Sequence, residues 1–294
     1  MSKIQIHPIG STLSTLGEGP VWDENTNHIL WIDIVNALII EHDLKTGEEN
    51  KIPTGSMIGS FAIMEDGNLI AALQEGIAII PRAGGKQQII ADPEQEIPTN
   101  RFNDGKCSPD GHFWAGSMSL NETDPSGSLY SLDEKFNVQK HEVGLTISNG
   151  LCWSLDKKYF YFIDTPTLRV VRYEYSNGNV NNKQTVIQID ASKDGYPDGM
   201  TIDMEGNIWI AHWGGWQVTK WNPVSGEKID AIELPVSQVT SICFGGQDFK
   251  DMFITSARRG LSQDQLQSEP LAGATFHVKN TGHQGLPFYR FKNA

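Results

Sequence analysis

Short runs in which apolar and polar residues alternate recur along the whole chain, each closed by a tight turn carrying an acidic residue. Six segments align on that turn: "VWDENTNHILWID", "AIMEDGNLIAAL", "KCSPDGHFWAGS", "CWSLDKKYFYFID", "TIDMEGNIWIAH" and "CFGGQDFKDMFITS". The turn residues are Glu24, Asp66, Asp110, Asp156, Glu205 and Asp248, so successive spacings are 42, 44, 46, 49 and 43 residues. Alternation with period two is the mark of a strand with one face against a core, and a repeat in the forties is the length of four short strands with their turns. A second hairpin follows in each unit, as in "GIAIIPRAGGKQQII" and "WQVTKWNPVSGEKIDAI". These strands are rich in Ile, Val, Thr, Trp and Tyr and are bounded by Gly, Asp, Asn and Pro. No stretch carries a sustained 3.6-residue apolar stripe, so helices should be few.

One four-stranded sheet of this size buries too little surface to be stable alone. Six arranged radially cover one another's faces. The pattern therefore predicts an all-β fold, a six-bladed β-propeller of four-stranded antiparallel blades, with residues 1–294 forming one domain. An open pair of sandwiches is the competing arrangement, and the regular spacing disfavours it. After "GATFHV" and "PFYRF" the last repeat lacks room for a full blade, so the N-terminal "KIQIH" strand is expected to complete it and close the ring.

The innermost strand of each blade lines the central channel. Counting back from each turn to the head of that strand reaches Glu18, Gly59 or Ser60, Asn103, Asn149, Asp198 and Ser241. Four of the six positions thus offer a carboxylate or amide oxygen. Their contexts, "GEGP", "FNDG", "SNG" and "PDG", each hold a Gly or Pro expected to shape the turn into the strand. Asp and Asn before Gly are ordinary turn formers, but Glu18 is not. Two carboxylates and two amides converging on an axis carry two negative charges, which a divalent cation would balance. An all-oxygen set favours a hard ion, Ca²⁺, Mg²⁺ or Mn²⁺, over a thiolate or imidazole zinc site.

Loops joining the second and third strands should emerge on the same face. They bring Asp33, Glu75, the segment 117–127, Asp164, His212 with Trp213, and Arg258. Segments 117–127 and 259–273 are long enough to cover a substrate, or to be plain surface loops. Arg101, two residues before Asn103, is placed at the rim, where its fork suits either substrate oxygens or a local acid.

Composition narrows the classes. A net charge of −13 supplies no positive surface for a phosphate backbone, so no nucleic-acid partner is expected. No 18-residue apolar stretch and no leader-like N-terminal run occur, and the expectation is a cytoplasmic protein without a membrane partner. Cys107, Cys152 and Cys243 are far apart, follow axial positions by two to four residues, and read as small core residues rather than a disulfide or zinc framework. Trp31, Trp114 and Trp209 share one position in the second strand, which assigns them to packing between blades. Of the eight His, only His212 is placed to reach the channel mouth. There is no G-x-S-x-G, Walker or dinucleotide-binding motif.

At "LGEGPVWDENTNHILWIDI", "RFNDGKCSPDGHFWAGSM", "GLTISNGLCWSLD" and "YPDGMTIDMEGNIWIAHWGG" the chain resembles the SMP-30/gluconolactonase/regucalcin family of six-bladed propellers. The four motifs in this order are jointly specific, and the later blades fit the period. The resemblance implies a metal-dependent lactonase that opens sugar-acid lactones. It assigns Glu18, Asn149 and Asp198 as ligands of one divalent ion, with Arg101 and Asn103 as substrate neighbours. Family members often carry an acidic residue about three places after the "GTM"-like segment. Here Asn121 stands there with Glu122 beside it, and both are taken as candidate substrate contacts, with His212 at the rim. Metal identity varies across the family; the oxygen donors favour Ca²⁺ and leave Mn²⁺, Mg²⁺, Zn²⁺ or Fe²⁺ open.

A divalent ion held by three side chains keeps positions open for water and a lactone carbonyl, and Asp198 at its edge could accept the water proton. Direct ligation lowers a carboxylate's basicity, so the base role is in tension with the ligand role. The same site could polarise a phosphotriester, and a non-catalytic calcium-binding regulator is the alternative from outside enzymology.

Overall fold

In the computed structural model, which describes residues 3–292, the period of the sequence becomes six four-stranded antiparallel sheets. The innermost strands, one per blade, are Gly17–Asp23, Ile58–Ile63, Asn100–Cys107, Ser148–Trp153, Tyr196–Ile202 and Val239–Gly245. Each pairs with the strand that follows it, and each blade continues outward in chain order. The sixth differs: its order from the axis is Val239–Gly245, Asp251–Ser256, Thr275–Lys279, then Gln5–Ile9. Gln5 pairs with Lys279 and Ile9 with Thr275, so the N-terminal strand supplies the outer edge of the last blade. Strands run from 4 to 10 residues, and both the shortest and the longest are outermost strands.

Each blade's faces pack on its two neighbours, which explains why inner and second strands are mostly buried. Trp31, Trp114 and Trp209 are all wholly buried between blades, but only two of them share a position. Trp114 and Trp209 pair with Lys106 and Thr201, three residues past Asn103 and Asp198. In the first blade Leu30 pairs with Val21, three past Glu18, so Trp31 is offset by one and packs toward Cys243 and Phe253 of blade six. Truncating any of them to alanine should cost about 3–5 kcal/mol. The three cysteines are free and buried. Helix is confined to short pieces, Ala191–Asp194 and Gln263–Ser268, the latter inside the long 259–273 connection. Among the described residues no helix is long and apolar enough to cross a membrane.

One end of the channel is strapped. After the last strand the chain crosses from the Gln284 carbonyl, bonded to Met204 N–H (2.8 Å), to Phe291, whose N–H donates to the Ile63 carbonyl (3.0 Å). Phe288 packs beneath the centre on this path, with the Lys106 ammonium 5.6 Å from its ring centre. The other end is open and carries the candidate site.

Candidate metal centre

Every innermost strand breaks its pairing register at the axial position: between Glu18 and Val21, Ile58 and Ser60, Phe102 and Gly105, Asn149 and Leu151, Pro197 and Met200, and Val239 and Ser241. A bulge leaves a residue unpaired and re-aims its side chain. In a flat strand these side chains would point at a neighbouring blade; the bulge turns them to the axis. The glycine-bearing motifs therefore sit inside the strands at the bulges, which corrects the expectation that they form turns leading into them. The glycine has a packing cause at two of these sites. A Cβ on Gly150 would lie 2.6 Å from the Asp198 carbonyl oxygen, and one on Gly199 would lie 2.2 Å from Ser241 Oγ. Adjacent inner strands can meet around the axis only without those side chains.

Glu18, Arg101, Asn103, Asn149 and Asp198 line one cavity of about 310 Å³, a small-molecule size. Its other walls are Leu16, Ile34, Met118, Ile147, Thr165, Pro166, Tyr196 and Trp213, with Glu122 and Arg259 at the mouth. The polar groups are held individually. Glu18 Oε2 accepts from Gly19 N–H (2.8 Å). Asn149 Nδ2 donates to Thr165 Oγ1 (2.9 Å), and its Oδ1 accepts a longer bond from Asn103 Nδ2 (3.3 Å). Asn103 differs: its Oδ1 accepts from Arg101 Nη1 (2.7 Å) and its Nδ2 donates to the Ser148 carbonyl (2.7 Å). Its oxygen is already engaged, so Asn103 holds Arg101 rather than completing an oxygen ring.

The electrostatics fit a cation. Burial, then the charges of Asp198 and Asp104, push the Glu18 carboxyl well above the usual carboxylate range. Burial and then Asp104 do the same to Asp198, against hydrogen bonds from Glu18, Asn149 and the Gly199 N–H. Desolvated carboxylates crowded in this way favour either a proton or a metal. Glu18, Asn149 and Asp198 offer one amide and two carboxylate donors, a hard-oxygen set suited to a divalent ion. Burial draws Arg101 down to about 10, with Glu122 opposing and Arg259 assisting the shift.

Two expected neighbours do not join the cavity. His212 is fully buried with Nε2 2.6 Å from Thr219 Oγ1, and burial presses its ring down to about 4; its neighbour Trp213 faces the cavity instead. Asn121 is turned into its own loop, accepting from Thr123 and Asp124 N–H (3.0 Å each) and donating to Asp124 Oδ2 (2.6 Å). Asp33 and Asp164 serve as backbone anchors, accepting from Thr15 N–H (2.8 Å) and Ile147 N–H (2.8 Å) respectively. At the mouth it is Arg259, not Arg258, that lines the cavity, bonding Glu122 Oε1 through Nη1 at 2.5 Å. The two residues come from blades three and six, which face each other across the ring, so the two long loops meet over the opening.

A second acidic group lies at the opposite end of blade five, where Asp203, Glu205 and His283 bring potential ligand atoms within 4.8 Å of one another. Lys220 already sits among them, 3.0 Å from Asp203 Oδ2, 2.6 Å from Glu205 Oε2 and 3.2 Å from His283 Nδ1. Its ammonium offsets one of the two carboxylate charges and already bonds to all three groups, unlike the axial carboxylates.

The fold and this axial constellation agree with comparison to known proteins. The SMP-30/Gluconolactonase/LRE-like region matches residues 16–258, which include every axial residue. The chain belongs to this family. It is 36% identical to regucalcin of Gallus gallus over 299 residues, covering 99% of both chains. A luciferin-regenerating enzyme superposes with TM-score 0.92 at 30% identity, covering 99% of this chain and 100% of that one. A calcium-binding regucalcin from Agrobacterium tumefaciens superposes with TM-score 0.88 at 31% identity and 95% coverage of both. The family therefore includes proteins described by calcium binding and proteins described by enzymatic turnover.

Proposed function

We propose that this protein hydrolyses sugar-acid lactones, using one divalent cation held by Glu18, Asn149 and Asp198. The observation that carries the reading is a pair of buried, crowded carboxylates at the floor of a small-molecule cavity, beside an arginine that has no ion-pair partner among the described residues. Membership in a family named for gluconolactonase supports it. Glu18, Asn149 and Asp198 would hold the cation where it would supply Lewis-acid polarisation to a lactone carbonyl entering the cavity. Arg101 presents its remaining N–H donors to substrate hydroxyl or carbonyl oxygens, fixed in direction by Asn103. The apolar wall of Leu16, Ile34, Met118, Ile147 and Trp213 covers the ring face of a bound sugar and excludes bulk water. An Asp198 carboxylate oxygen takes the proton of the attacking water and returns it to the ring oxygen as the C–O bond breaks. With His212 buried away from the cavity, Asp198 is the base the geometry favours.

The test is an activity matrix on chelator-stripped protein: Ca²⁺, Mg²⁺, Mn²⁺ and Zn²⁺ against γ- and δ-aldonolactones and a phosphotriester. Metal-dependent turnover of an aldonolactone is expected. Tight metal binding with no turnover of any ester would instead support the calcium-binding regulator, and turnover confined to the phosphotriester would move the substrate class.

Arg101→Lys should raise KM for the lactone by about tenfold while leaving metal stoichiometry at one, because an ammonium cannot reproduce the fork that meets both Asn103 and substrate. Steady-state kinetics with unaltered KM, or loss of metal from the variant, would reject the orienting role.

A further inference from the structure

Asp104 is a buried carboxylate for which the proposed chemistry has no use. It follows Asn103 in the same bulge, accepts from Gly105 N–H (2.7 Å) and lines the space on the strapped side of the axis together with Gly19, Ser241, Lys106 and Phe288. Its charge acts on both Glu18 and Asp198 from below. The cation that acts on Asp104 in turn is Lys106, whose ammonium donates to the Met200 carbonyl (2.9 Å) and stands over Phe288 of the C-terminal strap. Along the channel, from open mouth to strap, lie two carboxylates, a third carboxylate and an ammonium. Among these four groups three negative charges stand against one positive, and Arg101 in the cavity wall above adds a second positive charge.

We propose that Asp104 is a positioning residue of the metal centre, a non-ligating third carboxylate that draws the cation to the floor of the cavity, with Lys106 as the counter-charge that opposes it. The inference rests on the reading of the axial site as a divalent-cation site. Charges one layer beyond a metal's ligands set its affinity, commonly by 10–100-fold. They also set how costly the empty site is, since like charges in a dry interior repel. The two effects have opposite signs, and this separates a charge role from a packing role.

The experiment compares Asp104→Asn and Lys106→Met with wild type in two measurements: Ca²⁺ and Mn²⁺ titration by calorimetry, and thermal melting after chelator treatment. Asp104→Asn should weaken ion affinity about 10–100-fold and raise the Tm of the metal-free protein by about 2–4 °C. Lys106→Met, which keeps the side chain's stem against Phe288, should do the reverse, tightening ion affinity about three- to tenfold and lowering the metal-free Tm. Should Asp104→Asn fail to fold, the sign of the Lys106→Met shifts decides alone. Affinities of both variants matching wild type, both shifting the same way, or a lower metal-free Tm for Asp104→Asn would overturn the assignment. Wild type that binds neither ion would remove the metal centre itself, an outcome distinct from wild type that binds and variants that bind equally.

Discussion

Asp198→Asn, measured at confirmed full metal occupancy, should hydrolyse lactone with a kcat about 10²–10⁴-fold below wild type. Asparagine keeps an oxygen donor and nearly the same shape but cannot accept a proton. If Asp198 were a ligand and nothing more, excess metal would refill the site and largely restore the rate. The structure sharpens the expectation by removing the other candidate: His212 hydrogen-bonds Thr219 in a wholly buried setting and does not line the cavity. Burial and the neighbouring Asp104 charge raise the proton affinity of Asp198, which opposes the loss of basicity that ligation brings. The rate is read in weakly buffered solution with a pH indicator, alongside metal analysis of the same sample. A kcat near wild type under those conditions would leave Asp198 a ligand only.

Glu18→Ala should abolish stoichiometric divalent binding and, with it, the stabilisation that binding confers. For wild type that stabilisation is about 2.7 kcal/mol when free ion is 100 times its Kd. It should also depend on pH in a defined direction. The Glu18 and Asp198 carboxyls are raised above their ordinary values of 4.5 and 3.8 in the metal-free fold. Their contribution to stability is thus fully present below about pH 4, where folded and unfolded chains are both protonated. It is lost as pH rises through the raised folded values, because the unfolded chain ionises first. The difference in Tm between metal-saturated and chelator-treated wild type should therefore widen from pH 4 to pH 7. Taking the difference cancels groups that shift the other way, such as Asp23, which Arg82 and Arg290 hold down to about 2 against its burial. Calorimetry on Glu18→Ala with unchanged stoichiometry and affinity would reject Glu18 as a ligand.

The repeat made the propeller legible, because a period in the forties of short alternating strands has few other solutions. It also located Glu18, Asn149 and Asp198, since counting back from an aligned turn finds the same place in every blade. What the period could not convey is the bulge at that place. Two consecutive residues, Asn103 and Asp104, both leave the regular pleat there, so a carboxylate that a strict alternation assigns to a blade face ends up acting on the axial pair. The bulge could be suspected only from a glycine two residues after an axial Asn. The loops were less legible. They lie outside the repeat, so nothing fixed whether Arg258 or Arg259 would face the cavity, or that Asn121 would spend its side chain on its own turn. His212 failed for a different reason: second-strand side chains alternate between neighbouring blades, and its partner Thr219 lies on the next strand of its own blade.

The seam of the sixth blade imposes an order of events on synthesis. Residues Gln5–Ile9 leave the ribosome about 270 residues before Thr275–Lys279, the one strand they pair with among the described residues. At typical elongation rates that is a wait of roughly 15–55 s. Throughout it the first five blades can form in turn, each against the one before, while the leading strand hangs unpaired and the first blade lacks the neighbour that stacks Phe253 on Trp22. The ring then closes in one late step that joins the two ends of the chain, and no blade has both faces covered by permanent neighbours before its successor arrives. An arrest late in translation, or a bulky group fused ahead of Gln5, would act on that step alone and leave the strand pairing of the five earlier blades intact.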